Sequence, residues 1–225
     1  MLTATLSSSD WIAISAIGAP IIVSFVIFTY RKFTSKKERV FYERLDKRFT
    51  ELNPQTAGFN FLNKQGKIKY SQLIIAHKNM IVSSQEGIPE GIRNVDVSVV
   101  QGDDFETEIT KLYKKNEIKY ALKKTISTWN KWSPHKRYLN KKSKIELVSR
   151  FHTYFNVIHP FTDGNGRISM SLMDEQLSYL FDEFIEFRPD TRKYYEAIIA
   201  ASKGNEKELK SLIEKEVNRN TQSKT

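Results

Sequence analysis

Nine consecutive residues carry side chains and glycines that could act together: His159, Pro160, Phe161, Thr162, Asp163, Gly164, Asn165, Gly166 and Arg167. Gly164 and Gly166 flank an amide, and glycine tolerates the positive φ that lets successive N–H groups point into one concavity and hold an anion. Asp163 offers a hard oxygen ligand of the kind Mg²⁺ takes. Arg167 offers a planar, bidentate donor for phosphate oxygens. His159 is the group in the run that can exchange a proton near neutral pH. A base, a metal carboxylate, an anion nest and an arginine so close together suit attack on a nucleotide phosphate.

Those groups need elements to hold them. Downstream, Ile168 to Phe184 is apolar at helical spacing, with Met173, Leu177, Leu180 and Phe184 on one face. The concavity then opens into a helix N-terminus, where free N–H groups and the macrodipole favour phosphate. Upstream, Ile145, Val148, His152, Phe155 and Ile158 predict a helix running into His159, with His152 packed against the helix that follows. Residues 105–132 read as a lysine-rich helical run closed by Ser133-Pro134. Tyr70, Leu73, Ile74, His77 and Ile81 predict another helix, on whose apolar side His77 reads as a packed core histidine; His135 reads as surface. Gly87 to Gly91 breaks the pattern. Arg93 to Val100 alternates with period two, Val95, Val97 and Val99 against Asn94, Asp96 and Ser98, which predicts a strand. A lone hairpin is marginal in water, so it must lean on the helices or on another chain. Two further amphipathic helices follow, marked by Tyr194, Ile198, Leu209, Ile213 and Val217. Residues 218–225 form a polar tail.

The chain's 225 residues suffice for one domain with a full core and flanking sequence. A hydrophobic share of 40% excludes wholesale disorder, and the absence of cysteine excludes disulfides and thiolate metal sites. The net charge of +10 fits attraction to an anionic membrane surface; no nucleic-acid-binding signature accompanies it, so no nucleic-acid partner is expected. Residues 1–10 are short and polar. Residues 11–30 then run without a charge from Trp11 to Tyr30. Such a stretch rises ~30 Å as a helix, enough to span a bilayer, with an aromatic residue at each end. Asp10 precedes it, while Arg31, Lys32, Lys36, Lys37 and Arg39 follow. The positive-inside tendency predicts a single-pass protein with a short extracytoplasmic N-terminus and its C-terminal part in the cytoplasm. Residues 31–57 read as a charged juxtamembrane segment.

The run from His159 to Arg167 resembles the signature of the Fic-domain (Fido) family, His-Pro-Phe-x-Asp/Glu-Gly-Asn-Gly-Arg-x-x-Arg, matching it at His159, Pro160, Phe161, Asp163, Gly164, Asn165, Gly166 and Arg167. The resemblance covers about residues 58–217. It implies an all-α Fic-type helical bundle with a small β-hairpin flap, here preceded by a single N-terminal transmembrane helix. It implies transfer of a nucleoside monophosphate, usually AMP from Mg-ATP, to the Ser, Thr or Tyr hydroxyl of a target protein. In that scheme His159 is the base and Asp163 holds Mg²⁺. The N–H groups of Gly164, Asn165 and Gly166 cradle phosphate, with the Asn165 side chain on the α-phosphate. Arg167 neutralises the departing pyrophosphate, and Pro160 and Phe161 fix the loop. Residues Arg93, Asn94, Val95, Asp96 and Val97 resemble the start of the flap that docks the target by strand addition.

The family's final signature arginine falls at Met170. One lost phosphate contact of this kind costs on the order of 10²- to 10³-fold in rate. Met170 therefore leaves open a membrane-tethered nucleotide-binding module with little or altered transfer, moving a phospho-group or acting as a sensor. Many Fic proteins also receive an inhibitory glutamate at that arginine. The nearest stretch here, Ser83 to Gly87 around Glu86, has Val82 where the hydroxyl belongs. Control by access, by a second copy or by an outside partner is expected instead.

Overall fold

The computed structural model describes residues 61–82, 90–97 and 112–222. The apolar run 11–30, the juxtamembrane segment 31–57, Glu86, residues 98–111 and the end of the tail lie outside them. Among the described residues no helix is long and apolar enough to cross a membrane.

Among the described residues there are six helices: α1 (Tyr70–Val82), α2 (Ile118–Trp132), α3 (Lys141–Ile158), α4 (Asn165–Phe181), α5 (Thr191–Ser202) and α6 (Lys207–Gln222), with a 3₁₀ turn at Ser133–Tyr138. α3 is the hub, packing against α2, α4, α5 and α6. Its sequence explains this. Ile145, Val148, Phe151, His152, Phe155 and Ile158 are all buried and cover more than one face of the helix. The Asn140 side chain starts it by accepting the Ser143 N–H at 2.8 Å. Trp129 of α2 meets Phe151 edge-on, and Phe155 lies against Phe161. The segment before α1 is clamped to both sides. Glu175 of α4 accepts the N–H groups of Phe61 and Leu62 at 2.7 and 2.9 Å, and Asn130 of α2 exchanges two hydrogen bonds with Ile68.

Three expectations change. The lysine-rich helix begins at Ile118, because residues 112–117 turn beforehand; 105–111 lie outside the described residues. α4 stops at Phe181: Asp182 takes the left-handed conformation at φ 56° and breaks the period, so Phe184 is 74% exposed while Ile185 and Phe187 fill the core instead. No strand forms over residues 93–97, and among the described residues the only ladder feature is one antiparallel bridge between Leu62 and Ile68. The polar groups a strand would offer are spent on helix ends. Pro160 O accepts the Arg93 N–H at 2.9 Å, and Asp96 accepts the Lys115 N–H at 2.8 Å.

His152 lies between elements as expected: its Nε2 is 2.7 Å from the Tyr194 hydroxyl of α5, and its ring bonds the backbone at Ser169 of α4. Burial depresses its pKa to about 3, against a smaller opposite effect of the Ser169 bond. The unfolded chain therefore binds a proton, between its ordinary value near 6.5 and about 3, that the folded chain refuses. Stability contributed by a neutral His152 is present above that window and lost as pH falls through it. His152→Gln should make the stability-against-pH slope between pH 6 and 5 shallower by about 1.4 kcal/mol per pH unit. Urea unfolding at the two pH values measures it, and an unchanged slope would show that His152 is already charged in the folded state.

Candidate functional site

α3 ends on His159, which adopts φ 48° and ψ 63° and bonds its N–H to Phe155 O at 3.0 Å. A left-handed residue that is not glycine costs on the order of 1–3 kcal/mol unless its surroundings fix it. Here they do. The next residues, Pro160 and Phe161, are buried, and Phe161 stacks flat on His77 of α1 at 4.1 Å. The turn from Phe161 to Asn165 is closed by one side chain: Asn165 accepts the Phe161 N–H at 2.9 Å and donates to Phe161 O at 2.8 Å.

The Asn165 side chain, expected on an α-phosphate, is 2% exposed here and holds the turn through both ends of its amide, so it shapes the concavity. Its backbone N–H stays at the first position of α4. Gly164 caps α4 in the left-handed conformation, φ 81°, with no side-chain hydrogen bond to the helix amides. The first intrahelical bond runs from Ile168 N–H to Gly164 O, at 3.1 Å. Asn165, Gly166 and Arg167 thus precede it with N–H groups for which a helix offers no partner of its own. Of the two glycines only Gly164 takes positive φ, and open N–H groups at a helix start are the arrangement that suits an anion.

Gly164 also lies close under a flexible side chain of α1. A Cβ there would lie 2.1 Å from Met80 Cε of α1. Asp163 and Arg167 are paired at 2.8 Å, through Oδ2 and a terminal guanidinium nitrogen. The Asp163 side chain is 38% exposed and that of Arg167 11%. The metal-type carboxylate and the phosphate-type cation therefore neutralise each other at the turn. Asp163 is the more open partner of the pair and Arg167 the more enclosed one. Met170, one turn further along, is partly buried and packs on the core.

The imidazole of His159 is held neutral. Burial lowers its pKa to about 4; the backbone at Asn156 and the Asp163 charge oppose this, and the Arg93 charge adds to it. At neutral pH the ring can accept a proton.

Sequence reasoning missed what joins this turn to the rest. His77, fully buried, receives the Gly91 N–H on Nδ1 at 3.2 Å, which leaves Nε2–H to donate to Asp163 O at 3.1 Å. Arg93, expected on a target-docking flap, is 2% exposed. Its Nε donates to His159 O at 2.7 Å, and its terminal nitrogens donate to Val95 O, Tyr113 O and Ile158 O. Arg93 is unavailable to a docked segment because its guanidinium caps the carbonyl end of α3. Asn94, Val95 and Asp96 are exposed and Val97 half-buried, so they alone could meet one. A charged residue inside a valine-rich run was the one signal that Arg93 faces inward.

Residues 67–177 match the model of the Fic/DOC family. The described helices superpose on Fic-1 residues 134–508 from C. elegans with a TM-score of 0.58 at 18% identity, over 76% of this chain and 48% of that one. A Fic-domain-containing signalling protein from Bacteroides thetaiotaomicron gives 0.52 at 16% identity, over 81% and 66%. The N-terminal Fic domain of Bep8 from Bartonella sp. 1-1C gives 0.51 at 18%, over 82% and 86%. This chain thus spans about half of the worm chain it resembles and two thirds of the Bacteroides one. No curated protein matches it in sequence. The helical fold is Fic-like, and residues 67–177 match the Fic/DOC family.

Proposed function

We propose that this chain transfers AMP from Mg-ATP to a hydroxyl side chain of a target protein. The observation behind the reading is one juxtaposition: a neutral histidine at the carbonyl end of α3 stands next to a turn that leads into the uncapped amino end of α4. Fic domains typically move nucleotide monophosphates or other phosphate-containing groups onto proteins, and the turn has the chemistry for it.

His159 takes the hydroxyl proton as the target oxygen attacks the α-phosphorus. The new O–P bond forms as the bond to the β-phosphate oxygen breaks, and pyrophosphate leaves. The N–H groups of Gly166 and its neighbours hold phosphate oxygens, and Arg167 shifts from Asp163 to the departing phosphates. Among the described residues no three His, Cys, Asp or Glu side chains gather to hold a metal by themselves. Asp163 fits Mg²⁺ as a single, partly exposed carboxylate completed by phosphate oxygens and water, the mode Mg²⁺ favours. When bound, the ion supplies charge neutralisation on the α- and β-phosphates. A hydroxyl-bearing segment of the target pairs beside Asn94 to Val97.

We place this domain on the cytoplasmic face of a membrane, with residues 11–30 as anchor, on the strength of the charge-free run and the basic residues after it. A second reading, a nucleotide-binding module without transfer, is favoured by Met170, which stands where the family signature has an arginine and packs on the core. Incubation of native membranes with α-³²P-ATP and γ-³²P-ATP separates the two. We expect covalent label from the α position alone. Label from γ alone would mean phosphorylation, and ATP binding without covalent label would mean a sensor.

A further inference from the structure

Arg93 carries a positive charge inward. Its side chain is fully buried, and among the described residues the carboxylate it pairs with is that of the largely exposed Asp96, 4.0 Å away. Burying a cation is costly unless it is hydrogen-bonded. Here the carbonyl oxygens of Ile158, His159, Val95 and Tyr113 receive the guanidinium at 3.3, 2.7, 2.7 and 2.6 Å. Two of the four are the last carbonyls of α3, where the helix dipole favours a cation. A capping glycine or a water would satisfy those carbonyls without a buried charge. Arginine does more: its planar fork holds three separate segments at fixed angles to one another, which a lysine ammonium cannot do.

Those segments matter. One ends in His159, whose backbone is left-handed. One is residues 91–97, and one contains Tyr113. The Arg93 main chain adds a fourth tie, its N–H to Pro160 O at 2.9 Å. At the start of the same segment, Gly91 is bonded to His77, which in turn holds Asp163 O. Residues 91–95 are thus fastened at one end to the turn's carboxylate residue and at the other to its histidine.

We propose that Arg93 is a positioning residue: by gripping the His159 carbonyl and Val95 O together, it sets the imidazole in register with the segment on which the acceptor hydroxyl docks. This rests on the transfer reading above. Reaction geometry is sensitive at this level, since a displacement of about 1 Å can cost ~10²-fold in rate.

The test uses the full chain in membranes, with Arg93→Lys, which keeps the charge but loses the fork, and Arg93→Gln, which keeps two donors but loses the charge. Self-labelling from α-³²P-ATP gives kcat and the KM for ATP. Ring signals of the four histidines in ¹³C-histidine-labelled protein, assigned with His159→Gln, report the imidazole directly. We expect kcat to fall ~10²-fold in both variants while KM for ATP stays within about threefold, and the His159 ring signal to shift or broaden. A loss of melting temperature with unchanged kcat per folded molecule and an unmoved His159 signal would reduce Arg93 to a structural cap. A fall confined to KM for ATP would overturn the proposal as well. If the wild type takes up no label, the transfer reading fails, while the His159 signal still decides whether Arg93 orients the ring.

Discussion

His159→Ala should lower covalent incorporation of α-³²P label by about 10²- to 10⁴-fold, the span of a positioned general base. The ring is half-buried and held neutral, so at pH 7 the wild-type protein carries the unprotonated form needed to take the acceptor's proton. ATP binding should change little, because the N–H groups of the α4 terminus remain. The substitution has a second effect that must be separated. Position 159 is left-handed, a conformation His and Asn adopt more readily than Ala. His159→Asn keeps that tolerance and removes the base. Both variants should lose labelling equally, with His159→Asn melting closer to wild type. Labelling that survives in His159→Asn would remove the imidazole from the chemistry.

Gly164→Ala should destabilise the domain by about 2–5 kcal/mol and weaken ATP binding together. Two costs combine. An alanine at φ 81° is strained by ~1–2 kcal/mol, and its Cβ would stand 2.1 Å from Met80 Cε, an overpacking that costs ~1–3 kcal/mol. Met80 is the far end of a flexible side chain on α1, so the clash can be relieved without moving backbone. Met80→Ala together with Gly164→Ala should recover ~1 kcal/mol or more relative to additivity, yet leave the backbone strain and the ATP defect. Denaturant unfolding of the four proteins in the cycle, with calorimetric ATP titration of each, measures both. Strict additivity would mean that α1 does not press on the turn; unchanged ATP affinity would mean that the turn is not the phosphate site.

Both results depend on a surface of α1 that no motif marks. Met80 reads as an ordinary helical hydrophobe, and His77 as a packed core histidine. The second reading holds, but it is incomplete, since His77 also carries hydrogen bonds from Gly91 to Asp163. Periodicity identifies which side of a helix is apolar; it does not identify the loop that side will meet.

The local chemistry of the site was legible in the sequence because it is held within one turn. Glycine at 164 and the apolar period of Ile168 to Leu180 are enough to specify a left-handed cap leading into a helix with open N–H groups, and His159 and Asp163 lie within a few residues of it. The end of α4 was not legible. A left-handed Asp182 shifts the phase, sends Phe184 to solvent and brings Ile185 and Phe187 inward. Of the strand expected over 93–100, residues 93–97 form none, for a related reason. Its alternation is real, but strand pairing is a contest for backbone partners, and the carbonyl ends of α3 and the turn won it through Arg93. The sequence by itself determined the glycine turn and the two helices on either side of it, because those depend on neighbours within a few residues. Only the tertiary structure decided that Arg93 lies inside against the end of α3, and that His77 joins Gly91 to Asp163. Each of those outcomes depends on which groups remain unsatisfied once distant helices have packed.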